Sequence, residues 1–190
     1  MNRFCSLLAG ALLVVAATLG AQTRRSFNLG LGAGLTVLTG EDRDFFKDGL
    51  NLQGSVAVPL RNAGIDLRFD LGYQSIGGKD RFTAPPPSDS LRLGDFNVIS
   101  LTANAQYYAS PTAPARVYLI AGLGLYRVEA NAVHYGQSVK GSTTDFGAAG
   151  GVGVSFRLGG MRGFLEGRIH NIFGEGGSAQ LYPITLGVMF

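Results

Sequence analysis

Cysteine is nearly missing from this 190-residue chain: Cys5 is the only one. It lies within residues 1–21, which read as a cleaved leader, so the mature chain has no disulfide, thiol nucleophile or cysteine-ligated metal. No lipobox-like run precedes Cys5, and lipidation is not expected. Charge is scarce as well, with Lys, Arg, Asp and Glu at 15% of residues and no basic cluster or stripe, so nucleic acid finds no electrostatic footprint. A chain this apolar and poorly charged is nonetheless outside the disordered class. Long hydrophobic runs are also absent. The apolar stretch from Leu7 to Leu19 falls short of the ~20 residues that a spanning helix needs. Preceded by Arg3 and followed by the small residues of Leu19-Gly20-Ala21, it has the layout of a secretory signal cut before Gln22. Losing Arg3 with it lowers the net charge from +3 to +2. One domain, residues 22–190, remains.

Helical periodicity is missing too, and strand periodicity takes its place. Phe27, Leu29, Leu31, Ala33, Leu35 and Val37 occupy alternate positions opposite Ser26, Asn28, Gly30, Gly32, Gly34 and Thr36. The pattern recurs from Leu50 to Leu60, Ile65 to Tyr73, and Ile99 to Tyr107, with a bulge expected near Val98 where the frame slips by one. Val117 to Tyr126 is apolar on both faces, which leaves its inward frame open. Phe146 to Leu158 and Phe164 to Ile172 follow. The eighth run places Tyr182, Ile184, Leu186, Val188 and Phe190 on one face. Connections alternate in length: short at 61–64, 111–114 and 159–162, longer at 40–49, 75–94, 127–144 and 173–179. The expected fold is all-β, a closed eight-stranded antiparallel up-and-down transmembrane β-barrel with short turns at one end and long loops at the other.

A soluble barrel also alternates, but it turns charge outward to water. Here the polar face is mostly Gly, Ser, Asn, Gln and Thr, and its charges balance: Asp66, Asp70 and Glu166 against Arg68, Arg157 and Arg168. That suits a narrow lumen. The apolar frame carries no charge, which a bilayer midplane would penalise by ~2–4 kcal/mol. With no Trp in the chain, interfacial girdles fall to Phe27, Tyr73, Tyr107, Tyr126, Phe156 and Tyr182.

Four pieces carry a family resemblance. They are Tyr118 to Tyr126 with its Ala121-Gly122-Leu123-Gly124, the Phe146–Leu158 strand, the Phe164-Leu-Glu-Gly-Arg168 strand, and the terminal Phe190. From about residue 25 onward the chain resembles the small OmpX/opacity-type, OmpA-like outer-membrane β-barrel family of the Gram-negative envelope. The resemblance implies residence in the bacterial outer membrane and insertion by the barrel-assembly machinery, with Tyr182, Ile184, Leu186, Val188 and Phe190 as the assembly signal. It implies no particular chemistry, since members differ mainly in their loops.

The balanced charges of Asp66, Arg68, Asp70, Arg157, Glu166 and Arg168 form the main candidate constellation. An eight-stranded interior is just wide enough to fill with side chains, so a structural plug is favoured over an ion or proton path. Arg157 and Glu166 flank the turn at 159–162 and are expected to approach diagonally. No catalytic residue, cofactor or metal is assigned. Lipid A deacylases of this fold place a Ser two residues after a His, whereas Ile172 stands two after His170, and His134, Gln137 and Ser138 make no recognisable triad. The runs Gly30-Leu-Gly32-Ala-Gly34 and Gly150-Gly151-Val-Gly153 lack the helix and Lys of a phosphate loop. The acids of Glu41 to Asp48 do not have EF-hand spacing. The expected function is a monomeric, non-enzymatic surface barrel, structural or binding a partner through extracellular loops. A small-solute conduit or ligand-binding barrel is the alternative, and a lipid hydrolase a third.

Overall fold

A computed structural model describes residues 27–38, 48–60, 64–78, 92–109, 114–134, 137–174 and 177–190. The leader, most of the acidic stretch at 41–48 and most of the 75–94 connection lie outside them. Eight strands appear in chain order: β1 (Asn28–Val37), β2 (Gly49–Leu60), β3 (Ile65–Ile76), β4 (Arg92–Tyr108), β5 (Ala115–His134), β6 (Gln137–Leu158), β7 (Met161–Gly174) and β8 (Gly177–Met189). Each pairs antiparallel with its sequence neighbours, and β8 returns to β1, so the sheet closes on itself. The closing seam runs from Gly30↔Met189 to Val37↔Tyr182. Leu29 and Phe190 exchange backbone hydrogen bonds of 2.9 and 2.8 Å at its last rung. No strand edge is left facing the hydrocarbon, where an unpaired peptide group would cost several kcal/mol.

Alternation sorts the side chains into two environments. Leu31, Leu50, Leu101, Leu123 and Leu186 are each more than half exposed, while Arg68, Gln106 and Glu166 are only 1% exposed. This inverts a soluble protein. Polar side chains fill the interior and apolar ones make the outer wall, the arrangement that a lipid solvent demands. Tyr73 and Tyr107 stand on that wall near opposite ends, as girdle residues should, but Tyr126 does not. It is fully buried and points into the lumen, because the inward frame of β5 is the one that carries Tyr118, Ile120 and Tyr126.

Two details of register differ from the sequence reading. Val98 stays in frame, paired with Gln74 on β3 and Val128 on β5, and the irregularity falls between Leu93 and Phe96. The lumen face itself turns apolar at this height, which mimics a frame slip. Residues 127–134 and 137–144 continue as strand, and β7 and β8 similarly extend to Gly174 and from Gly177. A tilted crossing needs only ~9–11 residues, whereas β5 and β6 have 20 and 22. The surplus forms a ribbon beyond the wall, paired from Tyr126↔Asp145 to His134↔Gln137.

Leu101 sits on the lipid face near mid-height, paired with Leu71 and Leu125. Leu101→Arg is expected to lower unfolding stability in lipid vesicles by ~2–4 kcal/mol, while Leu101→Phe leaves it nearly unchanged. An arginine tolerated there in urea titrations would contradict the assignment of this face to lipid.

Candidate functional site

Strands β3 and β7 are four steps apart in either direction around the ring, so they face each other across the lumen. Alternation on β3 sends Arg68 and Asp70 inward, and on β7 it sends Glu166 and Arg168 inward. The four side chains close a cycle. Arg68 Nε donates to Asp70 Oδ1 at 2.7 Å, and its two terminal nitrogens fork onto Glu166 at 2.8 and 3.0 Å. Arg168 Nε donates to Glu166 Oε1 at 2.7 Å, and Arg168 Nη2 donates to Asp70 Oδ2 at 2.7 Å. Each arginine thus touches both carboxylates. Two bonds join neighbours on one strand, and the others cross the lumen.

The remaining lone pairs are also engaged. Tyr118 O–H donates to Glu166 Oε2 at 2.8 Å, giving that carboxylate four donors. Asn104 Nδ2 donates to Asp70 Oδ2 at 2.9 Å, and the Ser55 hydroxyl adds a further bond to Asp70. The Phe164 ring centroid lies 5.5 Å from the Arg68 guanidinium carbon, within cation–π range. Glycine makes the room. Gly153 pairs with both Tyr118 and Glu166, and a Cβ on it would strike the Tyr118 phenol. A Cβ on Gly151 would come 2.8 Å from Arg168 Cγ. Large polar side chains fit in so narrow a tube because β6, beside β7, sets glycine against them at this height.

Apolar groups close the lumen on both sides of this layer. Toward the long-loop end, Leu38, Ile76, Val98, Tyr126, Ile172 and Leu181 form a buried cluster. Toward the short-turn end, Tyr108, Tyr118 and Ile120 form another, with Tyr108 and Tyr118 edge to face at 5.5 Å. The cavity between the charges and the upper cluster, bordered by Asp70, Gln74, Arg168 and His170, measures about 10 Å³. That is barely the volume of one water. His170 is itself buried, with Nδ1 2.9 Å from the Tyr126 hydroxyl. It faces the lumen, out of reach of a lipid substrate on the outer wall. Among the described residues no group of His, Cys, Asp and Glu is arranged to hold a metal ion.

The structure therefore gathers four of the six residues expected in the lumen network. Arg157 is not among them. The two-residue turn at Gly159–Gly160, where Gly159 takes φ +58°, pairs Arg157 with Arg162 and Glu166 with Gly153. Four residues of strand, about 13 Å, separate Arg157 from the level of Glu166, and its side chain is exposed at the rim. Asp66 lies one rung below the cycle and feels the charge of Arg162 across the short-turn mouth. Tyr118, Asn104 and Phe164 were not legible as members. Tyr118 sits in the run that is apolar on both faces, and only its position opposite Gly153 hints at a ring needing space.

Residues 6–189 match the family described as "Outer membrane protein beta-barrel domain". Among solved structures, the chain resembles Neisserial surface protein A with a TM-score of 0.58 and 19% identity, covering 88% of this chain and 98% of that one. A major outer membrane protein from Thermus thermophilus gives 0.57 and 12% identity, over 87% of this chain and 99% of that one. The attachment invasion locus protein Ail of Yersinia pestis gives 0.50 and 15%, over 87% and 97%. No curated protein matches.

Removing one member of a buried ion network leaves its partners uncompensated. Glu166→Ala strands two guanidinium groups and the Tyr118 hydroxyl, and is expected to cost ~3–5 kcal/mol of barrel stability. Arg157→Ala, at the exposed rim, should stay within about 0.5 kcal/mol. Urea unfolding in lipid vesicles reads both, and an unchanged midpoint for Glu166→Ala would contradict the network's structural role.

Proposed function

The chain belongs to the outer membrane protein β-barrel domain family and resides in the bacterial outer membrane; from that membership we propose a non-enzymatic barrel that works at its extracellular rim. The observation that carries this reading is the filled lumen. Among the described residues a salt-bridged layer joins opposite walls, with apolar clusters on both sides of it, which supports a plugged lumen over a solute path. A conduit needs continuous water, and a ligand-binding barrel needs an empty interior; the cavity beside the charged layer, at about 10 Å³, favours neither. A lipid hydrolase finds no support either, because His170 faces inward beside Tyr126.

Short turns lie on the periplasmic side in this architecture, so the long connections and the β5–β6 ribbon face outward from the cell. Above Phe146↔Phe173, β6 has no partner on β7 among the described residues, yet it stays paired with β5 up to Gln137. Nine residues of ribbon extend for about 30 Å. Its surface is polar, with Arg127 and Glu129 paired at 2.9 Å and Ser142, Thr143 and Thr144 along β6. A rigid scaffold carrying exposed loops is where binding usually resides, and the open β6 edge offers unpaired peptide groups to a partner strand. Monomeric insertion by the barrel-assembly machinery through Tyr182, Ile184, Leu186, Val188 and Phe190, after removal of residues 1–21, completes this reading.

Purified barrel in planar bilayers should give no discrete, reproducible conductance steps, and stable channels would favour the conduit instead. Deleting residues 131–140 brings the cross-strand pair Ala130 and Gly141 to a new short turn. Intact barrel should retain a component from a panel of host-surface and envelope molecules that the shortened barrel does not. Equal capture by both would place binding elsewhere.

A further inference from the structure

The charges at the centre of the lumen are matched two against two, but those at its short-turn mouth are not. Arg116 of β5, Arg157 of β6 and Arg162 of β7 all belong to the lumen-facing frame, which runs through Gly153 and Ser155 on β6 and through Phe164 and Glu166 on β7. Register brings them together. Arg157 stands directly opposite Arg162, and Arg116 stands opposite Ser155, two residues from Arg157. Diagonal neighbours of this kind lie ~7–8 Å apart, so three consecutive strands send guanidinium groups into one side of the mouth.

Tyr108 and Tyr118 form the floor of this mouth and separate it from the charged layer above. Arg116 lies across that floor, its guanidinium carbon 4.6 Å from the Tyr108 ring centroid. Among the described residues Asp66 is the one carboxylate side chain at this level, and its electrostatic partner is Arg162. Arg157 is exposed and has no side-chain partner among the described residues. Ser155 is only 5% exposed, and its hydroxyl has no hydrogen-bond partner among them either. Like charges set directly opposite each other are destabilising, and so is a buried hydroxyl without a partner. An anion that accepts from Ser155 and the arginines relieves both penalties at once. Departures from local balance of this kind concentrate at functional sites.

Three positive side chains against one negative leave an excess of two, and the donors converge from three strands. A carboxylate offers one charge and two oxygens in a plane. A phosphate monoester carries about −1.5 to −2 at neutral pH and three acceptor oxygens, which matches both the charge and the spread of donors, and its oxygens suit the arginine fork. We propose that Arg116, Arg157, Arg162 and Ser155 bind one phosphate-monoester dianion that enters the mouth from the periplasm. The Tyr108–Tyr118 pair stops it there, so the site is a cup closed at its inner end. It is independent of whatever the extracellular rim binds.

Isothermal titration calorimetry of the full barrel in maltoside micelles, with glycerol 3-phosphate as the probe, tests the proposal. Folding of each variant is checked by heat-modifiable gel mobility, and only folded protein is scored. Wild type should bind the probe saturably, and about tenfold more tightly than dimethyl phosphate, which keeps the tetrahedral centre but has a single charge. Arg157→Gln should weaken binding about tenfold and Ser155→Ala several-fold. Arg127→Gln, which removes one positive charge from the opposite end of the barrel, should leave the affinity unchanged. Dioleoylphosphatidic acid added to the micelles should not compete. No saturable binding, equal affinity for dimethyl phosphate, an unchanged affinity in Arg157→Gln or Ser155→Ala, or an equal loss in Arg127→Gln would each overturn the site. Competition by the lipid would make the ligand a membrane headgroup and overturn the periplasmic solute.

Discussion

A bilayer supplies no hydrogen bonds, so every strand that enters it needs a partner on both edges. In this chain the requirement is met only when β8 returns to β1 and Phe190 and Leu29 exchange their backbone bonds. That one constraint organises the rest. Closure sets β3 opposite β7, and only then do Arg68 and Asp70 meet Glu166 and Arg168. The backbone ring and the side-chain ring are thus coupled: closure places the charged groups in reach of one another, and their bonds tie together walls that share no backbone bonds.

The charged layer is expensive to bury and is built accordingly. Burying a charge costs several kcal/mol even after relaxation, which only close, fully satisfied geometry offsets. Glu166 receives four donors, and Arg68 gives three nitrogens to two carboxylates. The apolar clusters at either side lower the local dielectric, which strengthens each of these bonds and raises the penalty for losing one. Glycines at 151 and 153 are part of the same design, because the walls must step back where Arg168 and Tyr118 step in. Among the described residues, the lumen at this height is occupied by side chains.

Much of this was legible in the chain. Eight alternating runs, their long and short connections and the balance of three acids with three bases follow from period-two patterning alone. Arg68, Asp70, Glu166 and Arg168 were identifiable because alternation assigns a face. What alternation does not assign is height, and height decided the exceptions. The turn at Gly159–Gly160 determines which residues stand level across β6 and β7, so Arg157 meets Arg162 and never reaches Glu166. Tyr126 looked interfacial because its run is apolar on both faces, and the same ambiguity concealed Tyr118. The β5–β6 ribbon resembled a loop because, above the membrane, neither face of a strand must be apolar.

A double-mutant cycle on Arg68 and Glu166, which lie on opposite walls, measures the coupling most directly. Arg68→Met, Glu166→Met and the double variant would be unfolded by urea in lipid vesicles. Because the double variant leaves Asp70 and Arg168 as a balanced pair, it should lose far less than the two single losses combined, with an interaction term of about 2–3 kcal/mol. Additive losses, within about 0.5 kcal/mol, would mean that the two walls are not held together by this pair.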